Sequence, residues 1–89
     1  MDVNNNKKLS RFEFEIEGLL AVVDYVLKDK VYNIHRVYVP MKLEGQGIGS
    51  KVLGSALEII ENEGAKIIPT CPFVGVYLER HPDKKTLLA

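Results

Sequence analysis

A single cysteine, Cys71, and no tryptophan stand among the 89 residues. One thiol cannot close an intrachain disulfide and suits a reducing compartment. The two histidines and that cysteine lie far apart without ligand spacing, so no metal cluster is expected. Charge of either sign is also missing in excess: 12 Lys and Arg balance 12 Asp and Glu. A formally neutral chain has no general attraction to nucleic acid or to an anionic membrane, and neither is expected as a partner. No apolar run approaches the ~20 residues of a membrane span. The start of the chain is polar through Asn4-Asn5-Asn6 and lacks the apolar centre of a secretory signal. There is no repeat, linker or low-complexity segment. What is present, 46% hydrophobic residues in one short chain, describes an ordinary cytoplasmic globule with a small core.

Residues 1–9 have little to bury and are expected to form a frayed, flexible tail ahead of a single domain over 10–89. From Arg11, Phe12, Phe14 and Ile16 alternate with Glu13, Glu15 and Glu17, the period of a strand with one wet, acidic face. Gly18 ends it. A second β-rich run from Leu20 to Leu27 and a third from Val31 to Val39 flank the polar turn Lys28-Asp29-Lys30. The three runs predict an antiparallel meander. Helical periodicity follows from Ile48 through Ile60, with Gly64 placed to terminate the helix. Gly54 in its middle costs about 1 kcal/mol of propensity against alanine and marks close packing on the sheet. Ala65 to Pro69 reads as a short strand parallel to the third, because a helix crosses between them. Pro72 to Arg80 reads as a second helix, with Phe73, Val76 and Tyr77 at i, i+3 and i+4. Pro82 ends it, and Leu87-Leu88 is expected to dock back on the body. The predicted class is α+β, a mixed sheet built from a β-β-β meander followed by α-β-α.

The third run feeds the stretch Val39-Pro40-Met41-Lys42-Leu43-Glu44-Gly45-Gln46-Gly47-Ile48-Gly49-Ser50. A glycine-rich turn between a strand and a helix offers the unpartnered first amides of the helix, and the positive end of its dipole, to a phosphate. Gly45, Gly47 and Gly49 let backbone approach the ligand closely. Two common phosphate loops fail on spacing. Gly-x-Gly-x-x-Gly started at Gly45 needs glycine where Ser50 stands, and started at Gly47 needs it at Val52. A triphosphate-binding Gly-Lys-Ser/Thr is absent, because Gly49 is followed by Ser50 and then Lys51.

The stretch resembles the pyrophosphate loop of the GCN5-related N-acetyltransferases, Arg/Gln-x-x-Gly-x-Gly/Ala, through Gly47-Ile48-Gly49. Its order of motifs, Val39-Pro40, Cys71-Pro72-Phe73, Tyr77 and His81-Pro82, is similar to that of the small single-domain members, over roughly residues 11–88. Two positions depart from the pattern. Glu44 stands where the family has Arg or Gln, which shifts phosphate binding onto backbone amides. The family's His-Thr-Glu-Val-Pro register reads Arg36-Val37-Tyr38-Val39-Pro40, with His35 one place early. The resemblance implies a minimal form of the acetyltransferase fold and acetyl-CoA as cofactor. It implies that backbone of Tyr38 and Val39 holds the pantetheine arm and that amides of Gly45, Gln46, Gly47, Ile48, Gly49 and Ser50 hold the pyrophosphate.

It also implies N-acetylation of an amine on a small molecule or a protein, with two candidate catalytic residues. Tyr77 matches the tyrosine that protonates the departing sulfur; a phenol with an ordinary pKa near ~10 carries its proton at neutral pH. The competing reading is a core tyrosine with its hydroxyl at the rim. Cys71 precedes a helix N-terminus, a position that promotes thiolate character, and either accepts the acetyl group or lines the thioester pocket. A small buried hydrophobe is its alternative. His35 is a candidate base, His81 a helix-end residue, and the Glu13, Glu15, Glu17 face a solvated surface. The other expectations for the whole chain are a non-catalytic CoA-binding module and a scaffold that has kept the fold alone. A domain this small is also a candidate homodimer, which would complete an acceptor cleft.

Overall fold

A computed structural model describes residues 2–89. Five strands and two helices occur in the order β1 (Asp2–Asn6), β2 (Arg11–Ile16), β3 (Leu19–Lys28), β4 (Val31–Tyr38), α1 (Ile48–Asn62), β5 (Lys66–Pro69) and α2 (Pro72–Arg80). They form one sheet in sequence order, antiparallel from β1 to β4 and parallel between β4 and β5. This is the predicted α+β class, an antiparallel meander followed by a parallel pair, with one more strand than expected. Among the described residues no helix is long and apolar enough to cross a membrane.

The extra strand corrects the expectation of a frayed tail. Residues 2–6 pair with β2 from Asp2 opposite Glu15 to Asn6 opposite Arg11. Polar side chains hold the strand where apolar ones are lacking. Asn4 and Asn6 donate to the Glu13 carboxylate at 3.3 and 3.1 Å, and Asn5 accepts from the Tyr25 hydroxyl at 2.5 Å. Arg11 Nε donates to Glu13 at 2.7 Å, and with the two asparagines it keeps that carboxyl below the usual range. Met1 lies outside the described residues.

Two-residue turns join β2 to β3 and β3 to β4, and both residues of each turn have positive φ: Glu17 and Gly18, then Asp29 and Lys30. Left-handed pairs of this kind match the twist of the flanking strands and fix their register. Register in turn sends Phe12, Phe14, Val23, Tyr32 and Ile34 to one face. Both helices cover that face, α1 through Val52, Leu53, Ala56, Leu57 and Ile60, and α2 through Val74 and Leu78. The α2 face differs from the expected one: Phe73 and Val76 are exposed and Tyr77 is half-buried. Gly64, at φ +72°, ends α1 as expected. Its amide donates to Glu61 O and the next, Ala65 N, to Ile60 O, satisfying two of the last carbonyls. After α2 a 3-10 segment, Pro82–Leu87, returns to the body. Leu87 is buried, and Ala89 N donates to Ile67 O at 2.9 Å, covering the outer edge of β5.

Candidate functional site

Strands β4 and β5 run together only from Val31 opposite Lys66 to Ile34 opposite Pro69. The last link between them is Cys71 N donating to Ile34 O at 2.9 Å. Beyond it β4 continues to Tyr38 with β3 alone as partner. The register between them shifts there: Tyr25 faces Ile34 and Asp24 faces Arg36, so His35 is an additional residue on β4. Such a bulge bends a strand and increases its twist. The result is a wedge, closed at Cys71 and open along Val37, Tyr38 and Val39.

The chain crosses the mouth of this wedge before entering α1. Pro40 starts a 3-10 turn, Met41–Leu43, whose Leu43 is 1% exposed and pins the loop to the core. Glu44 is extended, Gly45 has φ +80° and Gly47 has φ +72°. The left-handed Gly47 is the N-cap of α1, and no side chain caps the helix or places an acid in its first turn. The first backbone bond of α1 is Lys51 N to Gly47 O at 3.2 Å. The amides ahead of it are therefore donors without a side-chain acceptor, at the positive end of a helix of 15 residues.

These donors face a cleft in two connected parts. One, of about 240 Å³, is lined by Val39, Leu43, Glu44, Gly45, Gly47, Ile48, Gly49, Ser50 and Phe73. The other, of about 340 Å³, is lined by Val37, Tyr38, Val39, Glu44, Gly49 and Phe73. Val39, Glu44, Gly49 and Phe73 belong to both. The ring of Phe73 closes on α1 because residue 49 is glycine: a Cβ there would stand 3.1 Å from Phe73 Cζ. Three lining residues, Val37, Leu43 and Phe73, fall outside the sequence-based assignment of the site, Phe73 because the sequence places it on the apolar stripe of α2. The signal for Phe73 was its place directly after Pro72, in the first turn of a helix that follows the parallel strand.

The structure thus gathers Tyr38, Val39, Gly45, Gly47, Ile48, Gly49 and Ser50 around one cleft, whereas Gln46 sits in the same loop without lining it. Cys71 and Tyr77 line neither part. Cys71 is a half-buried free thiol at the N-cap of α2, at the closed end of the wedge. Tyr77 lies further along α2 with its ring stacked on His81 at 4.1 Å. Its hydroxyl packs on α1, where a Cβ at Gly54 would be 2.8 Å from the oxygen. Gly54 therefore marks close packing between the helices rather than on the sheet. His35 and Arg36 are exposed at the bulge; Arg36 reaches Asp24 at 3.7 Å and lies over the Tyr38 ring at 4.8 Å.

Chemically, the uncapped helix end can receive phosphate oxygens, and the apolar trough beside β4 can receive an extended arm carrying an acyl group to the closed end of the wedge. A family model described as GCN5-related N-acetyl-transferase matches residues 11–87. A search among curated proteins gives no significant match.

Proposed function

Because the chain belongs to the GCN5-related N-acetyltransferase family, we propose that it transfers an acetyl group from acetyl-CoA to an amine on a small molecule or a protein. The supporting observation is the continuous cleft from the uncapped N-terminus of α1 to the edge of β4 that β5 leaves open beyond Ile34. Amides from Gly45 to Ser50 hold the pyrophosphate. Backbone groups of Tyr38 and Val39 hold the pantetheine arm, and Phe73 walls it from α2. Acetyl-CoA supplies an activated thioester that a neutral amine can attack.

Cys71 stands beyond the lining of the cleft, where β4 and β5 part, and meets the thioester once the arm extends past Val37 to the closed end of the wedge. Tyr77 returns a proton to the departing sulfur, a role that requires its hydroxyl to leave Gly54 for the cleft. The position of that hydroxyl favours, as a second reading, a module that binds CoA without transferring the acetyl group. The lone thiol and balanced charge support a cytoplasmic setting without nucleic acid or membrane partners.

Titration calorimetry with acetyl-CoA, followed by thiol release in the presence of an amine panel, tests both readings. Micromolar binding with amine-dependent release of CoA supports the enzyme. Micromolar binding without release across the panel leaves the binding module, and no binding at millimolar ligand removes both.

A further inference from the structure

Glu44 is the only charged side chain among the described residues that line the cleft, and it lines both of its parts. It is exposed, and it takes part in no ion pair among the described residues. The cleft therefore opposes two fields. The uncapped end of α1 attracts phosphate oxygens, and a carboxylate at the edge of the same loop repels them. Nothing in the backbone requires this acid. Its φ of −65° and ψ of 152° are open to almost any residue, and its amide is already satisfied by Met41 O at 3.1 Å.

Resting on the acetyl-CoA reading above, we propose that Glu44 is a specificity-determining residue that holds the phosphate end of the cofactor loosely. It makes the cleft select against ligand charge at the α1 end and speeds the release of CoA. The apolar trough beside β4, with Val37, Val39 and Phe73, then carries a larger share of the affinity.

The test is calorimetry and stopped-flow dissociation with CoA and with pantetheine, which keeps the arm and lacks every phosphate. Glu44→Gln is expected to bind CoA about tenfold tighter and release it correspondingly more slowly, with pantetheine binding unchanged. Raising salt to about 0.5 M should shrink the gain, because the carboxylate is exposed and screened. Glu44→Asp should keep the wild-type affinity and Glu44→Lys should exceed the Gln variant. Equal or weaker CoA binding by Glu44→Gln, with wild type binding normally, would overturn the role of Glu44 and leave the cofactor assignment standing. A matching gain for pantetheine would also overturn it, since no charge is then being sensed. Failure of both wild type and variant to bind CoA would bring down the cofactor assignment and this proposal together.

Discussion

Gly47 has φ +72° with nothing within 4 Å of where its Cβ would be, so backbone conformation, rather than space, requires glycine there. A β-branched residue in the left-handed region costs on the order of 1–3 kcal/mol. The chain can relieve that cost only by turning the N-cap, which redirects the amides of the next residues. Gly47→Val should therefore lose CoA affinity by more than about tenfold and lower stability by about 1–3 kcal/mol, measured by calorimetry and urea unfolding. Retained affinity would refute the phosphate site. Gly49 is constrained for the opposite reason: a methyl group meets the Phe73 ring at 3.1 Å. The spacing of these glycines was legible because each residue acts locally. Phe73 was not legible, because its role depends on where α2 lands against α1.

Between elements, the closest contact of this kind is Tyr77 on Gly54, and it yields a prediction whose sign reverses with background. Alanine at an exposed helix position gains about 1 kcal/mol over glycine. At residue 54 the added Cβ would stand 2.8 Å from the Tyr77 hydroxyl oxygen but 3.7 Å from the ring carbon that bears it. Gly54→Ala alone should destabilise, by roughly 1–3 kcal/mol as overpacking does. In a Tyr77→Phe background the same change should be neutral or stabilising by up to about 1 kcal/mol. A double-mutant cycle by chemical denaturation checks this, and additivity within about 0.5 kcal/mol would show that the two side chains do not compete. Tyr77→Phe also keeps the ring that stacks on His81 while removing the proton. An acyl-transfer rate lowered at least about tenfold, with CoA affinity unchanged, supports the acid role, and an unchanged rate assigns the hydroxyl to packing. Strands β2 to β4 were legible from period-two alternation and from their turns. The face of α2 was not, because Phe73, Val74, Val76, Tyr77 and Leu78 leave no single apolar stripe. Strand β1 was hidden for a different reason: Asp-Val-Asn-Asn-Asn buries little, and it is held by polar side-chain bonds to Glu13 on the neighbouring strand and to Tyr25 on the strand beyond, which no apolar alternation announces.

At the scale of the molecule, Tyr25 and Tyr32 join β1, β3, β4 and α1 in one cluster with Phe12. Their rings meet edge to face at 4.8 Å, Tyr25 donates to Asn5 at 2.5 Å and Tyr32 donates to Glu63 at 2.6 Å. Burial raises both phenols above the ordinary value of 10.0; for Tyr32 the hydrogen bond to Glu63 and its negative charge add to the rise. A group whose pKa is higher folded than unfolded contributes stability that is whole below the unfolded value. That stability declines as pH climbs toward the folded one. Carboxylate and amine titrations aside, the unfolding free energy should therefore hold its level up to about pH 9 and fall above about pH 10. Tyr32→Phe should cost about 1 kcal/mol at neutral pH, the net worth of a hydrogen bond to a partly exposed acceptor. It should also flatten the alkaline decline, because a phenylalanine has no proton to lose. The comparison is urea unfolding of both proteins from pH 7 to about pH 11, taken as a difference so that groups common to both cancel. An identical alkaline slope would mean that the Tyr32 hydroxyl is as well solvated in the fold as in the unfolded chain, and that the tie between the start of β4 and the end of α1 contributes nothing to holding the sheet and helix together.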